Sequence, residues 1–315
     1  MNQTGIEINR PHSRKKQLKK WSIVGLIFIT ISYLFLNFGP VHKRPDLPFF
    51  TSEQPLVIAH QGGELLAPSN TMMAFQHAVD LGVDVLETDI HITKDGELVT
   101  IHDPSVDRTT NGTGLVSELT LEEVQKLDAG YHFKDLNGKQ SYRGKGAYIP
   151  TVEELFKAFP SMRMVIEIKD DNPPERINEI SEKLWKLIQD YKKENEIIVA
   201  SFDQKIVDHF QEISNGKVAM AAGESEIRKF IILKKFFLAN LYRPKADAFQ
   251  IPTEASIFNL ATPSVIKEAK RRNVNVQYWT IDDKETMKTL LQNGANGIMT
   301  NRPDLLLEVM DEMGY

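Results

Sequence analysis

The sequence predicts a (β/α)8 barrel with a small inserted subdomain, preceded by one N-terminal transmembrane helix. Three observations carry that prediction. From Leu56 onward, short apolar runs alternate with stretches of helical period, eight times along a chain of 315 residues, the pattern of parallel strands joined by crossover helices. Polar groups end several of those runs, as the carboxyl-terminal rim of such a barrel requires. Trp21 to Phe38 (WSIVGLIFITISYLFLNF) is an uncharged apolar run of 18 residues, about 27 Å as a helix against a hydrocarbon core of ~30 Å.

Arg10, Arg14, Lys15, Lys16, Lys19 and Lys20 precede this run, whereas only Lys43 and Arg44 follow it closely. The positive-inside bias therefore makes residues 1–20 a basic cytoplasmic tail and 21–38 the anchor, with the large domain outside the cell membrane. No small-residue cleavage site follows the run, and Trp21, Tyr33 and Phe38 suit the membrane interface, so an uncleaved single-pass anchor is expected. Residues 39–55, with Pro40, Pro45, Pro48 and Pro55, read as a stiff linker.

The barrel is expected over 56–315. Its strands are read at 56–60, 84–90, 164–169, 197–201, 218–222, 247–251, 275–280 and 297–300. Helices follow: one starts at Asn70-Thr71 and closes at Gly82, a capping box opens another at Thr151 to Glu154, and others lie near 175–192, 204–214, 226–241, 263–272, 283–292 and 303–313. Lys94-Asp95-Gly96 is a turn signal between alternating apolar runs, so the chain after the second strand folds back as a hairpin. The inserted subdomain is expected at about 104–150, a Gly, Asn, Thr and Lys-rich passage with one capped helix, Thr120 to Gly130.

Charge narrows the function. The whole chain carries −5, but residues 1–44 hold eight Lys or Arg against Glu7 alone, which leaves −12 for the rest. An acidic domain is a poor partner for nucleic acid, and a phosphate substrate would need a cation to offset the repulsion. The absence of cysteine excludes a disulfide framework, a thiolate zinc site and a cysteine nucleophile.

The chemistry gathers at the strand ends. Alternate residues of a strand share a face, so Glu87 and Asp89 project together. Glu167, at the end of the next barrel strand, joins them, and the three carboxylates are hard oxygen ligands for one divalent cation, Ca2+ or Mg2+. His60 ends the first strand and His102 returns on the hairpin, so two imidazoles stand where a metal-bound phosphate would lie. Lys169 shares a face with Glu167 and could hold a phosphate oxygen. Trp279 lies near the end of the seventh strand, on the same rim, and is read as a substrate-binding residue. His77, His91, His132 and His209 have no partner set and read as structural.

The motifs AHQGG, APSNT, LETDIHITKDGELVTIHD, RTTNGTG, LTLEEVQKLDAG, IPTVEELF, VIEIK, ASF, YWTID and GIMTNRP resemble, in this order, those of the glycerophosphodiester phosphodiesterases. The resemblance covers about residues 56–303. It implies a TIM barrel that hydrolyses glycerophosphodiesters to sn-glycerol 3-phosphate and an alcohol. It further implies that Glu87, Asp89 and Glu167 bind the metal, His60 and His102 act as general acid and base, and Lys169 contacts phosphate. The substrate's own glycerol hydroxyl would attack first, giving a cyclic phosphate that water opens. Two positions depart from the family pattern. Gln61 stands where the family usually has a phosphate-gripping Arg and is expected to contact the phosphate as a weaker, neutral donor, and Ser69 replaces a Glu.

Two further expectations concern lipid. Ile227 to Tyr242 (IRKFIILKKFFLANLY) is apolar nearly all round the helical wheel, with Arg228, Lys229, Lys234 and Lys235 interrupting it. It reads either as a buried helix with snorkelling lysines or as a basic amphipathic surface on an anionic bilayer. A lysophospholipase D type activity, or cleavage of envelope glycerophosphate polymers, is the alternative within the enzyme class. A non-catalytic glycerophosphodiester-binding protein is the alternative outside it.

Overall fold

A computed structural model describes residues 12–315, so the first half of the basic tail lies outside the described residues. The chain divides into two compact units: residues up to His42 together with Phe230–Arg243, and residues 43–229 together with 244–315.

In the smaller unit, helix α1 spans His12–Phe38. None of its apolar window, Lys16–Leu36, is buried in protein. The hydroxyls of Ser22 and Thr30 donate to the carbonyls of Leu18 and Leu26, four residues back, at 2.9 Å each, so neither is left unsatisfied inside the apolar run.

The larger unit carries the barrel. Its elements in chain order are β1 (Leu56–Ala59), α2 (Met72–Leu81), β2 (Val85–Ile92), β3 (Leu98–Thr100), α3 (Leu121–Gln125), α4 (Val152–Ala158), β4 (Arg163–Ile168), α5 (Ile177–Asp190), β5 (Ile197–Ala200), α6 (Gln204–Ile213) and β6 (Ala219–Met220). Then follow α7 (Glu224–Lys235), which runs on into the smaller unit, β7 (Ala248–Ile251), β8 (Glu254–Ala255), β9 (Phe258–Asn259), α8 (Pro263–Lys270), β10 (Asn275–Tyr278), α9 (Lys284–Gln292), β11 (Gly297–Thr300) and α10 (Pro303–Glu312). The parallel strands follow the order β6-β5-β4-β2-β1-β11-β10-β7. A parallel bridge between Ala221 and Ala248 closes the ring. Strand β3 pairs antiparallel with β2, with Ile90 opposite Thr100, and lies outside the ring as the hairpin reading expects.

One inward-facing file per strand decides what the barrel contains. Ile58, Val85, Val165, Ile198, Ala219 and Met299 belong to a single buried cluster. Alternation puts Glu87 and Asp89 above Val85, Glu167 above Val165 and His60 above Ile58 on the same face. Parallel register sets Asp89 directly beside Glu167. The rim therefore follows from strand parity.

The opposite end is closed by residues read from sequence as linker. Pro48–Phe50 forms a 3-10 turn, and Phe49 is 1% exposed within the barrel cluster. Arg163 donates to the Phe49 carbonyl at 3.1 Å, and Arg44 pairs with the buried Asp247 at 2.7 Å. This stretch is docked on the barrel rather than free.

The inserted subdomain has its own small core, built from Val99, Ile101, Val106, Val116, Val124 and their neighbours. Both capping boxes are present: Thr120 with Glu123, and Thr151 with Glu154. Three features differ from the sequence reading by more than a residue or two. The helix from Thr120 stops at Gln125, short of Gly130. The helix expected to reach residue 241 ends at Lys235, because Leu238 N–H donates to Leu233 and Phe237 N–H to Lys234, a Schellman turn with Phe237 in the left-handed region at φ 58°. The small hairpin of β8 and β9 lies within a passage read as connection.

Candidate active site

Each site residue is placed by a short local structure. After β1 the chain turns sharply through His60–Gly62. Gly62 has φ 80°, and a Cβ there would lie 2.8 Å from the Cβ of Ala74, so the turn requires glycine. The turn aims the backbone N–H of Gln61 at Glu87 Oε2, at 2.8 Å. The Gln61 side chain itself is 2% exposed, its Oε1 has no partner among the described residues, and it is absent from the cavity lining.

Glu87, Asp89 and Glu167 offer oxygens that all lie within 4.8 Å of one another. Asn70 donates to Asp89 at 3.2 Å and is itself held by Thr88. Lys169 Nζ stands 3.2 Å from Glu167 and 3.6 Å from Asp89. Burial first, and then the charge of Asp89, hold the Glu87 carboxyl well above the ordinary carboxylate range against the pull of the Gln61 N–H. The same two causes push Glu167 up to about 7. Burial pulls the Lys169 ammonium down, but Glu167 and Asp89 outweigh it and hold the group above its ordinary value. One ammonium facing three carboxylates leaves a local excess of negative charge, and a divalent cation bound by hard oxygens would offset it. The donor set thus fits calcium or magnesium.

The two imidazoles flank this cluster. His60 Nδ1 lies 2.6 Å from Asn301 Oδ1, and Nε2 lies 4.0 Å from Glu87. The Asn301 amide is oriented by Asp282, which accepts from its Nδ2 at 3.0 Å and from its backbone N–H at 2.8 Å. With that amide nitrogen committed, Oδ1 accepts from His60, which places the ring proton on Nδ1. His102 Nδ1 lies 2.9 Å from Asp103 Oδ1, and its Nε2 lies 3.3 Å from Lys169 Nζ. Arg108 grips Asp103 at 2.6 and 3.2 Å. Although burial raises the Asp103 carboxyl, Arg108 and His102 bring it below its ordinary value.

His60, Glu87, Asp89, His102, Glu167 and Lys169 line a cavity of about 610 Å³. Apolar side chains, among them Phe202, Ile227, Leu260 and Trp279, make up much of the remaining lining, and Lys169 Nζ lies 5.9 Å from the centre of the Phe202 ring. The Trp279 and Phe202 rings meet edge-on at 5.6 Å. His91, by contrast, is buried between the Ile101 carbonyl and Asp171 and has a structural role.

The sequence profile of the Glycerophosphoryl diester phosphodiesterase family matches residues 60–305. The chain belongs to this family. A glycerophosphodiester phosphodiesterase of Caldanaerobacter subterraneus subsp. tengcongensis is 33% identical over 259 residues, covering 82% of this chain and 99% of that one. The lysophospholipase D GDPD1 of Rattus norvegicus is 29% identical over 315 residues, 91% of this chain and 95% of its own. A phosphodiesterase of Oleispira antarctica, solved in complex with the product sn-glycerol-3-phosphate, shares the fold with a TM-score of 0.66 at 21% identity, over 82% of this chain and 97% of that chain.

In this member of the phosphodiesterase family, sequence reasoning missed the groups behind the imidazoles: Asn301, Asp282, Asp103 and Arg108. All four lie within or beside motifs that carry the resemblance, GIMTNRP, YWTID, TIHD and RTTNGTG. That was the available signal, because nothing in their spacing tells which polar group meets which ring.

Proposed function

We propose that the chain is a membrane-anchored, divalent-cation-dependent glycerophosphodiester phosphodiesterase that releases sn-glycerol 3-phosphate and an alcohol. The observation that carries this reading is the gathering of three carboxylates within 4.8 Å beside two imidazoles whose Nδ1 atoms already have partners. A bound calcium or magnesium ion would polarise a phosphoryl oxygen and offset charge developing there. Glu87, Asp89 and Glu167 would hold it, and Lys169 would hold a second phosphoryl oxygen. Gln61, at the family's Arg position, would contribute at most a neutral contact. Trp279 and Phe202 would pack the carbon side of the substrate.

The two imidazoles divide the proton work. His60, backed by a neutral amide, offers its Nε2 lone pair to the hydroxyl that attacks phosphorus. His102, held through Nδ1 by the Asp103 carboxylate and with Lys169 Nζ beside its Nε2, would deliver a proton to the leaving alkoxide. A nitrophenolate leaves without a proton. His102→Ala should therefore lose about 10²–10⁴-fold on glycerophosphocholine but far less on a nitrophenyl ester. His60→Ala should lose similar factors on both. The reverse pattern would exchange the two roles.

The decisive assay uses the purified full chain on glycerophosphocholine with calcium, magnesium and a chelator in turn. Turnover with one cation and loss in chelator is expected. No turnover with either cation would sink the enzyme reading and favour a binding protein. The apolar lining of the cavity favours a second reading, a lysophospholipase D type activity, and the rat relative bears that name. A higher kcat/KM on lysophosphatidylcholine than on glycerophosphocholine would select it.

The anchor reading is supported by an apolar helix that no protein core covers and by the basic residues before it. It places the N-terminus in the cytoplasm and the barrel outside.

A further inference from the structure

We propose that Phe230–Arg243 is a second membrane contact, an interfacial segment that lies among anionic phospholipid headgroups at the outer end of the anchor helix. The proposal rests on the anchor reading of α1, and its test separates the two.

The segment belongs to the same compact unit as α1. Asn240 Nδ2 donates to the Phe35 carbonyl at 2.7 Å, and the rings of Phe237 and Tyr33 lie 6.1 Å apart. The approach is close: a Cβ on Gly39 would lie 2.5 Å from the Phe35 carbonyl oxygen and 3.2 Å from Asn240 Nδ2. All these contacts fall at residues 33–39, at the C-terminal end of the apolar window Lys16–Leu36. That is the depth at which aromatic and amphipathic groups meet headgroups. A segment packed there enters the interface whenever α1 spans the bilayer.

Its own surface has the matching chemistry. Ile232 and Phe236, one helical turn apart, are 42% and 67% exposed. Phe237 and Leu241 add 60% and 56% after the Schellman turn. Lys234, Lys235 and Arg243 are its ionisable side chains apart from Tyr242, and it contains no carboxylate, although the chain beyond residue 44 is strongly acidic. Apolar groups beside cations are what an anionic interface binds, with acyl chains taking the rings and headgroups the ammonium groups. Water would leave the rings exposed, and a protein partner would have to share the surface with the bilayer around α1.

The chain has no cysteine, so single-cysteine variants of the full chain can be labelled with an environment-sensitive fluorophore. Phe28→Cys reports the span, and Phe236→Cys and Leu241→Cys report the segment, since all three side chains are more than half exposed. Each is reconstituted into vesicles of phosphatidylglycerol and phosphatidylcholine that contain spin-labelled quencher lipids. Blue-shifted emission and quenching at all three positions is the expected result. Quenching at position 28 without quenching at 236 and 241 would overturn the proposal and leave the anchor intact. Absence at all three would overturn the anchor, and the proposal with it. Lys234→Glu combined with Lys235→Glu should diminish quenching at 241. Undiminished quenching would overturn the assignment to anionic headgroups.

Discussion

The two ends of the barrel interior are built on the same strands and the same inward-facing files, yet they do opposite things. At the floor, Phe49, Leu56, Ile58, Val85 and Val165 are almost fully buried and apolar. At the rim, two residues further along for His60, Glu87 and Glu167, or about 7 Å, and four for Asp89, or about 13 Å, stand the polar groups. Apolar burial at the floor favours folding. The rim opposes it, because carboxylates are withdrawn from water and set against one another, as the raised pKa directions of Glu87 and Glu167 show. Stability and chemistry are thus separated along one strand, and the floor offsets what the rim costs.

The sharpest way to break this comparison is to neutralise the rim. Glu87→Gln should abolish turnover, since it removes one of the three carboxylates proposed to hold the cation. In chelator it should also stabilise the protein by on the order of 1 kcal/mol, a Tm rise of about 2–4 °C, by removing a buried repelled charge. Activity assays and thermal melts on the same preparation check both. A fall in metal-free Tm would mean that the Gln61 N–H contact outweighs the repulsion. The complementary change at the floor is Phe49→Ala. It should cost about 3–5 kcal/mol of stability while leaving KM unchanged in the folded fraction, measured by denaturant unfolding and steady-state kinetics.

Strand parity explains why so much of the rim could be read from sequence. Apolar runs such as Leu56–Ala59 announce strands, and a run that ends in His or carries Glu-x-Asp fixes which polar groups face inward. Phe49 could not be read in this way. It sits between Pro48 and Pro55 in a stretch whose composition suggests a spacer, and only the three-dimensional proximity of Arg163 and the strand starts makes it a core residue. The end of α7 was hidden for a related reason: its left-handed cap is a phenylalanine, and the usual signal is glycine. The network behind the imidazoles joins residues as distant as His60 and Asn301, and hydrogen-bond pairing across that separation has no periodicity to follow.

The rim also makes stability depend on pH in a direction opposite to that of ordinary salt-bridged carboxylates. Glu167 titrates from an ordinary 4.5 to about 7 in the folded chain. Its folded-state pKa is raised, so the folded protein binds the extra proton between these values. The contribution is fully present below about 4.5 and is lost as pH rises through about 7. In chelator, the stability of the native sequence relative to Glu167→Gln should therefore fall from pH 5 to pH 8, and saturating calcium or magnesium should remove the fall. A flat difference across this interval would show that Lys169 alone satisfies the carboxylate.

The smallest expected effect tests Gln61, where the resemblance implies an arginine. Gln61 contributes its backbone N–H to Glu87 at 2.8 Å, and that contact is independent of the side chain. The side chain is buried at a left-handed φ of 51°, and its Oε1 has no partner among the described residues, so it adds little to a phosphate that neutral Gln could at best touch once. Gln61→Arg keeps the backbone contact and supplies a charged, two-pronged donor. Charge-assisted bonds exceed neutral ones by roughly 1 kcal/mol, so KM should fall by about five-fold with kcat little changed and the thermal midpoint preserved. A substantial rise in KM would show that the buried slot is shaped for the carboxamide. Gln61 would then serve the turn that aims His60 and Glu87, not the substrate.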